Sequence, residues 1–190
     1  MKFNKFIIIK TLFILINSQL LFNFSGIHAA EEIKIIYNIF SRTIKVNSLK
    51  SFAEEGNSTK ELRKILRATG STDNEIRSVL NKDFEIPITV ASKLVYSEIG
   101  NVFLTRLSSI VHPPKADDER TGMLALRASI IQGIKKGEGE INLIKFFESY
   151  PTKTVILDVN ALSKVMNKVE SISDLLDFFT NSPIEKIKTN

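Results

Sequence analysis

The sequence contains no cysteine, and only two of its 190 residues are histidine. Without cysteine the chain has no disulfide, no thiolate nucleophile, no iron–sulfur cluster and no cysteine-based zinc site. Two histidines leave little material for imidazole metal sites or for Ser-His catalysis. The acidic pairs Glu54-Glu55 and Asp117-Asp118 lack the spacing of a calcium loop. We therefore predict no metal and no cofactor.

Basic residues exceed acidic residues, 26 to 21, which gives a net charge of +5. Nucleic-acid binding is one explanation of such an excess. The excess is mostly lysine, however, and lysine, isoleucine and asparagine are all encoded by AT-rich codons. No basic stripe with interleaved aromatic residues is present. The sequence therefore predicts no nucleic-acid partner.

Residues 1–30 have the pattern of a secretory signal peptide. Three lysines lie in the first ten residues, a short apolar stretch follows, and small residues lead to Ala29 and Ala30. Cleavage after either alanine would export the chain to the periplasm or the exterior and lower its net charge to +2. The alternative is an uncleaved membrane anchor, although the apolar run is shorter than the roughly 20 residues that span a bilayer.

Residues 31–180 are predicted to form a single domain, with a frayed tail over 181–190. The fold class is mainly α (α+β), with six to eight helices and a small antiparallel sheet. Alternating apolar residues from Ile33 to Ile39 predict a strand that turns at Ser41-Arg42 and returns to Val46. Thr152–Val159 alternates in the same way and is predicted to join this hairpin.

Helix boundaries follow from capping residues and glycines. The predicted helix starts are Asn47 or Ser48, Ser58 with Glu61, Thr72 with Glu75, Pro87 in a first turn, and the residues after Gly100. Gly56 and Gly70 end two of these helices. Later helices are predicted from Glu119 to Lys136 with Gly137 at the end, over 141–147, and from near Asn160 to about Phe179.

Arg127 is the most informative single residue. At 100° per residue it lies on the same helix face as Met123, Ile130 and Ile134. A charge on an apolar face is unfavourable unless it is paired or hydrogen-bonded. We predict Asp158, in the last strand, as its partner, because arginine binds a carboxylate through two parallel hydrogen bonds. The pair is either an anion-binding site or a buried structural contact.

His112 is the one histidine that remains after signal cleavage. Ser108 and Ser109 precede it, and Asp117 and Asp118 follow, so a Ser-His-Asp set can be written down. No Gly-x-Ser-x-Gly nucleophile elbow occurs anywhere in the chain. A solvated loop histidine beside two prolines is the favoured interpretation, and no catalytic residue is predicted.

The last predicted helix carries a seam with the spacing of a coiled coil. One interpretation is a surface for a partner helix or a dimer. The other is a helix that packs on its own domain. Met166 and Leu175 favour this second interpretation because they widen the apolar stripe of the helix. The seam residues are Leu162, Val165, Val169, Ile172, Leu176 and Phe179.

Short motifs occur in a particular order along the mature chain. They are Ser51-Phe52-Ala53-Glu54, Pro87, Leu94-Val95-Tyr96, Ile99-Gly100, Ala125-Leu126-Arg127-Ala128, Phe146 to Thr152, and Ile156-Leu157-Asp158. In this order they resemble the cyanobacterial family called domain of unknown function 1400, over roughly Glu31 to Phe179. The resemblance implies a domain that follows a signal sequence and precedes a secreted α/β-hydrolase domain. It implies no catalytic residue in this chain, which would end where the hydrolase begins.

Three functions are consistent with the sequence. The first is an exported non-catalytic accessory or interaction domain that acts in trans on an envelope hydrolase or another envelope protein. The alternative is a small lipid- or acyl-ligand-binding protein, suggested by 13 phenylalanines and wide apolar helix faces. A hydrolase in its own right is the weaker alternative. The oligomeric state stays open.

Overall fold

The computed structural model describes residues 29–115 and 118–166, which form six strands and eight helices. The strands are β1 (Glu32–Tyr37), β2 (Phe40–Lys45), β3 (Phe84–Glu85), β4 (Val111–His112), β5 (Glu140–Ile141) and β6 (Thr154–Asp158). The helices are α1 (Val46–Glu55), α2 (Lys60–Thr69), α3 (Asp73–Leu80), α4 (Ile88–Val95), α5 (Glu98–Leu107), α6 (Glu119–Lys136), α7 (Leu143–Glu148) and α8 (Val159–Met166). The predicted mainly helical α+β class is confirmed.

The main sheet has four strands in the order β2-β1-β6-β4. The strand predicted after Pro151 does join the first hairpin, as β6. It runs parallel to β1, with Ile33 opposite Val155, whereas the other two ladders are antiparallel. The sheet is therefore mixed rather than wholly antiparallel. The helices between β1 and β6 supply the long crossover that a parallel pair requires.

The β1–β2 hairpin turns at Asn38-Ile39, not at the predicted Ser41-Arg42. Asn38 has a φ of 51°, a left-handed conformation that asparagine adopts more readily than most residues. Its backbone N–H donates to Oδ1 of Asn160, 3.0 Å away. The turn is thus anchored to the start of α8, a tertiary contact that a local turn pattern does not indicate.

The short helices begin largely at polar caps. The capping box of Thr72 and Glu75 is present as predicted at the start of α3. At α2 the capping side chain is Thr59, one residue beyond the predicted Ser58. α1 begins at Val46 without a side-chain cap, earlier than the predicted Asn47 or Ser48. Gly56 and Gly70 end α1 and α2 in the left-handed conformation, as predicted.

Helices α4 and α5 form a tight helical hairpin. Pro87 is the residue before α4 rather than part of its first turn. Gly100 lies inside the first turn of α5, which Ser97 caps, so α5 starts before the predicted position. A Cβ atom at Gly100 would lie 1.9 Å from the carbonyl oxygen of Leu94. Only glycine allows this approach of the two helices.

Helix α6 is the centre of the domain and has the bounds predicted from the sequence. It packs against α4, α5, α7, β4 and β5, and its Leu126 and Ile134 are fully buried. Phe52 of α1, Tyr150 and Val155 of β6 complete the core. Within the described parts of the chain, no helix has both the length and the apolar character that a bilayer crossing requires. Most of the predicted seam, from Val169 to Phe179, lies outside the described residues.

Candidate functional site

Arg127 lies on the face of α6 that packs against the α4–α5 hairpin. It is buried, with 9% of its surface exposed, as its position on an apolar helix face predicts. Its Nε donates to the carbonyl oxygen of Val95 at 3.0 Å. One Nη donates to Oδ1 of Asn101 and also contacts Sδ of Met123 at 3.7 Å. The buried charge of Arg127 therefore has hydrogen-bond acceptors on α4, on α5 and on α6 itself.

The ring of Tyr96 covers the guanidinium of Arg127. The distance from Cζ to the ring centroid is 4.5 Å, within the range of a cation–π contact. Val95 is the last residue of α4, so its carbonyl lacks an intrahelical partner and lies at the negative end of the helix dipole. Arg127 therefore stabilises the end of α4 and the turn into α5.

Asp158 has different partners. It lies at the end of β6, where its Oδ1 accepts the backbone N–H of Asn160 at 2.9 Å and of Ala161 at 3.0 Å. These contacts cap the N-terminus of α8, where an acceptor satisfies exposed N–H groups and a negative charge is favourable. The predicted Arg127–Asp158 pair is not formed. Each residue instead satisfies the backbone at a helix end.

His112 is a half-buried residue of β4, opposite Ile156, and not the solvated loop residue that was predicted. Its side chain and those of the preceding serines are bonded to nearby backbone. Ser108 Oγ donates to the carbonyl of Thr105 at 2.6 Å, and Ser109 Oγ donates to that of Arg106 at 2.8 Å. Nδ1 of His112 is 2.8 Å from the carbonyl of Pro113 and therefore carries the proton, since a carbonyl only accepts. Neither serine is hydrogen-bonded to His112, so no activated nucleophile is assembled there.

Asp118, the acidic residue of this region that the structure describes, does not complete a catalytic set. Asp117 lies outside the described residues. Asp118 caps α6, and its Oδ1 accepts the backbone N–H of Thr121 at 2.7 Å. This hydrogen bond lowers the pKa of Asp118 below its usual range. Among residues 29–115 and 118–166, no group of three potential metal ligands is found.

The largest feature that the sequence did not predict is an exposed apolar surface on the helical hairpin. Only Ala91 and Val95 of α4 are buried, although apolar residues lie on all sides of this short helix. Sequence periodicity could not indicate which of its sides remains exposed. We call this surface the α4–α5 apolar face. Its members are Ile88, Val90, Leu94, Tyr96, Ile99 and Val102, which are 38–63% exposed.

These features define a mainly helical α+β domain with a fixed helical hairpin, an exposed apolar face and, in its described parts, no assembled nucleophile. The model of the family described as alpha/beta hydrolase of unknown function (DUF1400) matches residues 29–158, and the chain belongs to this family. The resemblance inferred from the ordered motifs is thereby confirmed. No curated protein and no solved structure matches the chain.

Proposed function

We propose that this protein is an exported, non-catalytic accessory domain that binds an α/β-hydrolase in trans through the α4–α5 apolar face. The observation that carries the proposal is the exposure of the apolar side chains on this face. Several large apolar side chains exposed on one helical hairpin are typical of a protein interaction site. Lys93 and Glu98, both exposed, supply charged groups on the same two helices, as in the polar rim of many interfaces.

The hairpin is well suited to binding because it is fixed before any partner arrives. Arg127 joins its two helices through Val95 and Asn101, and Gly100 lets them approach closely. A surface that is ordered in the free protein loses little conformational entropy on association. The apolar side chains of α4 and α5 are therefore presented on a preorganised scaffold.

The choice of a hydrolase as the partner starts from the family description, which calls the family itself an alpha/beta hydrolase of unknown function. The present sequence has no Gly-x-Ser-x-Gly elbow, and the described Ser108, Ser109 and His112 are not arranged for nucleophilic attack. In this proposal the catalytic residues belong to a separate hydrolase domain, and the present domain positions or regulates it.

Site-specific photo-crosslinking tests the interface. A photoreactive residue replaces Val90, on the apolar face, or Val79, on α3, as a matched control, because these valines are 54% and 55% exposed. The proposal requires an adduct with an α/β-hydrolase from position 90 that Ile99→Asp abolishes and that position 79 does not give. Identical products from both positions, adducts only with a second copy of the chain, or no adduct would overturn it.

The non-catalytic part of the proposal is tested by ester hydrolysis. The purified protein should show no turnover of short-chain p-nitrophenyl esters above a buffer blank. Turnover that disappears in His112→Ala and Ser108→Ala, but persists in the control Ser71→Ala, would make the protein a hydrolase and overturn the proposal.

Export is supported by the pattern of residues 1–30. N-terminal sequencing of the protein from an envelope fraction should begin at Ala30 or Glu31. A mature protein that retains Met1 and resists extraction with salt would instead be membrane-anchored.

A further inference from the structure

A cleft of about 600 Å³ opens on a different part of the surface. Three described segments form its walls: residues 113–115 after β4, the first turns of α6, and the segment that leads into β6. Its apolar lining consists of the rings of Pro113, Pro114 and Pro151 and the side chains of Leu124 and Ala125. Small-molecule sites in proteins occupy roughly 300–1,000 Å³, so the cleft has the size of a ligand site.

Two of the polar groups in these walls are bonded within the protein. Oγ1 of Thr152, which lines the cleft, donates to the carbonyl oxygen of Thr154 at 2.8 Å. The backbone N–H of Thr121 is taken by Asp118. A sugar or a nucleotide needs several hydrogen-bonding groups from its site, and the walls offer mainly methyl groups and proline rings. The part of a ligand that lies against these walls is therefore expected to be an alkyl chain.

Among the described residues, the charged side chains that line the cleft are those of two lysines, Lys115 and Lys153. Lys115 is exposed, and within the described parts of the chain its ammonium has no ion-pair partner. Nζ of Lys153 lies 3.4 Å from a carboxylate oxygen of Glu31, and both side chains are well exposed. Such a surface pair is weak, so it leaves Lys153 able to bind another anion.

We propose that this cleft binds an alkyl carboxylate, with the chain against the apolar walls and the carboxylate beside Lys115 and Lys153. The combination of apolar walls and two lysines matches a ligand that is apolar along its length and anionic at one end. The cleft shares no residue with the α4–α5 apolar face, so this proposal stands independently of the proposed hydrolase partner.

Isothermal titration of the purified protein with hexanoate, octanoate and decanoate, each below its micelle concentration, tests the site. We expect saturable one-to-one binding, with affinity rising by up to about fourfold for each added methylene. Decyltrimethylammonium has the same chain and the opposite charge, and it should bind at least about tenfold more weakly than decanoate.

Substitutions then locate the site. Leu124→Ser should weaken decanoate binding by about tenfold, while Leu143→Ser, which changes an exposed leucine of α7, should have no effect. The double substitution Lys115→Ala, Lys153→Ala should remove the preference for carboxylate over ammonium without changing the dependence on chain length. Lys135→Ala, at the exposed far end of α6, is the matched control for charge.

The proposal is overturned if no saturable binding occurs, if the carboxylate and the ammonium compound bind equally, or if the control substitutions weaken binding as much as those in the cleft. Binding to anionic phospholipid vesicles without binding of monomeric decanoate would also overturn it, because the ligand would then be a membrane surface. The chain-length and head-group series use the unsubstituted protein, so a variant that fails to fold leaves the test intact.

Discussion

The guanidinium of Arg127 lies 4.5 Å from the centre of the Tyr96 ring and donates to the carbonyl of Val95, the residue just before that tyrosine. One side chain of α6 thus contacts the last residue of α4 and the residue that follows it. The charge of Arg127 is stabilised by a backbone carbonyl, an amide oxygen and an aromatic face rather than by a carboxylate. This arrangement leads to the first prediction.

Arg127→Ala should lower the free energy of unfolding by roughly 3 kcal/mol, because hydrogen bonds from a charged donor contribute about 1.5–3 kcal/mol each. Arg127→Lys should recover only part of the loss, since a single ammonium cannot replace the separate Nε and Nη donors. Urea denaturation measures both changes. The control is Arg67→Ala on the exposed side of α2, and an equal loss there would contradict this role for Arg127.

Asp158 offers a test of its capping role. Asp158→Ala should destabilise the protein by about 1 kcal/mol, the usual effect of losing an N-cap. Asp158→Asn should be nearly neutral, because an amide oxygen accepts the same N–H groups of Asn160 and Ala161. Urea midpoints distinguish the two variants. Strong destabilisation by Asp158→Asn would indicate that the negative charge itself is required, as in the ion pair that the sequence suggested.

Gly100→Ala should lower the free energy of unfolding by at least about 2 kcal/mol, because the added methyl group overlaps the carbonyl of Leu94 and the helices must separate. The same substitution should reduce crosslinking from Val90. Thr89→Ala, at an exposed position of α4, is the control and should leave the thermal midpoint nearly unchanged. A stable Gly100→Ala variant would show that the hairpin can open.

Tyr150 is fully buried, and its hydroxyl has no hydrogen-bond partner among the described residues. Burial also raises the pKa of this phenol, because the charged form is poorly solvated. Tyr150→Phe removes an unsatisfied polar atom and keeps the ring, so the free energy of unfolding should be unchanged or rise by up to about 1 kcal/mol. Tyr150→Leu should lower it. A large loss in Tyr150→Phe would reveal a partner for the hydroxyl.

The cap of α6 should make stability sensitive to acid. The hydrogen bond from Thr121 lowers the pKa of Asp118 in the folded state, so the stabilisation is present above the pKa of the unfolded chain, about 4, and is lost as pH falls through the folded value. Asp118→Asn keeps the cap and removes the titration. Urea midpoints between about pH 6 and pH 3 should therefore fall less steeply in this variant than in the parent. Identical slopes would contradict the assignment.

Local signals in the sequence predicted local structure well. The bounds of α6, the capping box of Thr72 and the glycines after α1 and α2 depend on residues within one or two turns of each other. The burial of Arg127 was also predictable, because a helix face is defined by its own periodicity.

Features that depend on contacts between distant segments were not predictable in the same way. The partners of Arg127 come from α4 and α5, so the spacing of residues in α6 gives no information about them. The position of the hairpin turn depends on the contact of Asn38 with Asn160, far along the chain. α4 has apolar residues on all sides, and only its packing on α5 and α6 determines that Val90 and Leu94 remain exposed.

The parallel pairing of β1 with β6 has a consequence for the order of folding. The two central strands of the sheet are residues 32–37 and 154–158, so the sheet cannot close while the chain is shorter than about 158 residues. During synthesis β1 can pair only with β2 until almost the entire domain has been made. A chain with this topology stays incompletely folded until late in its synthesis.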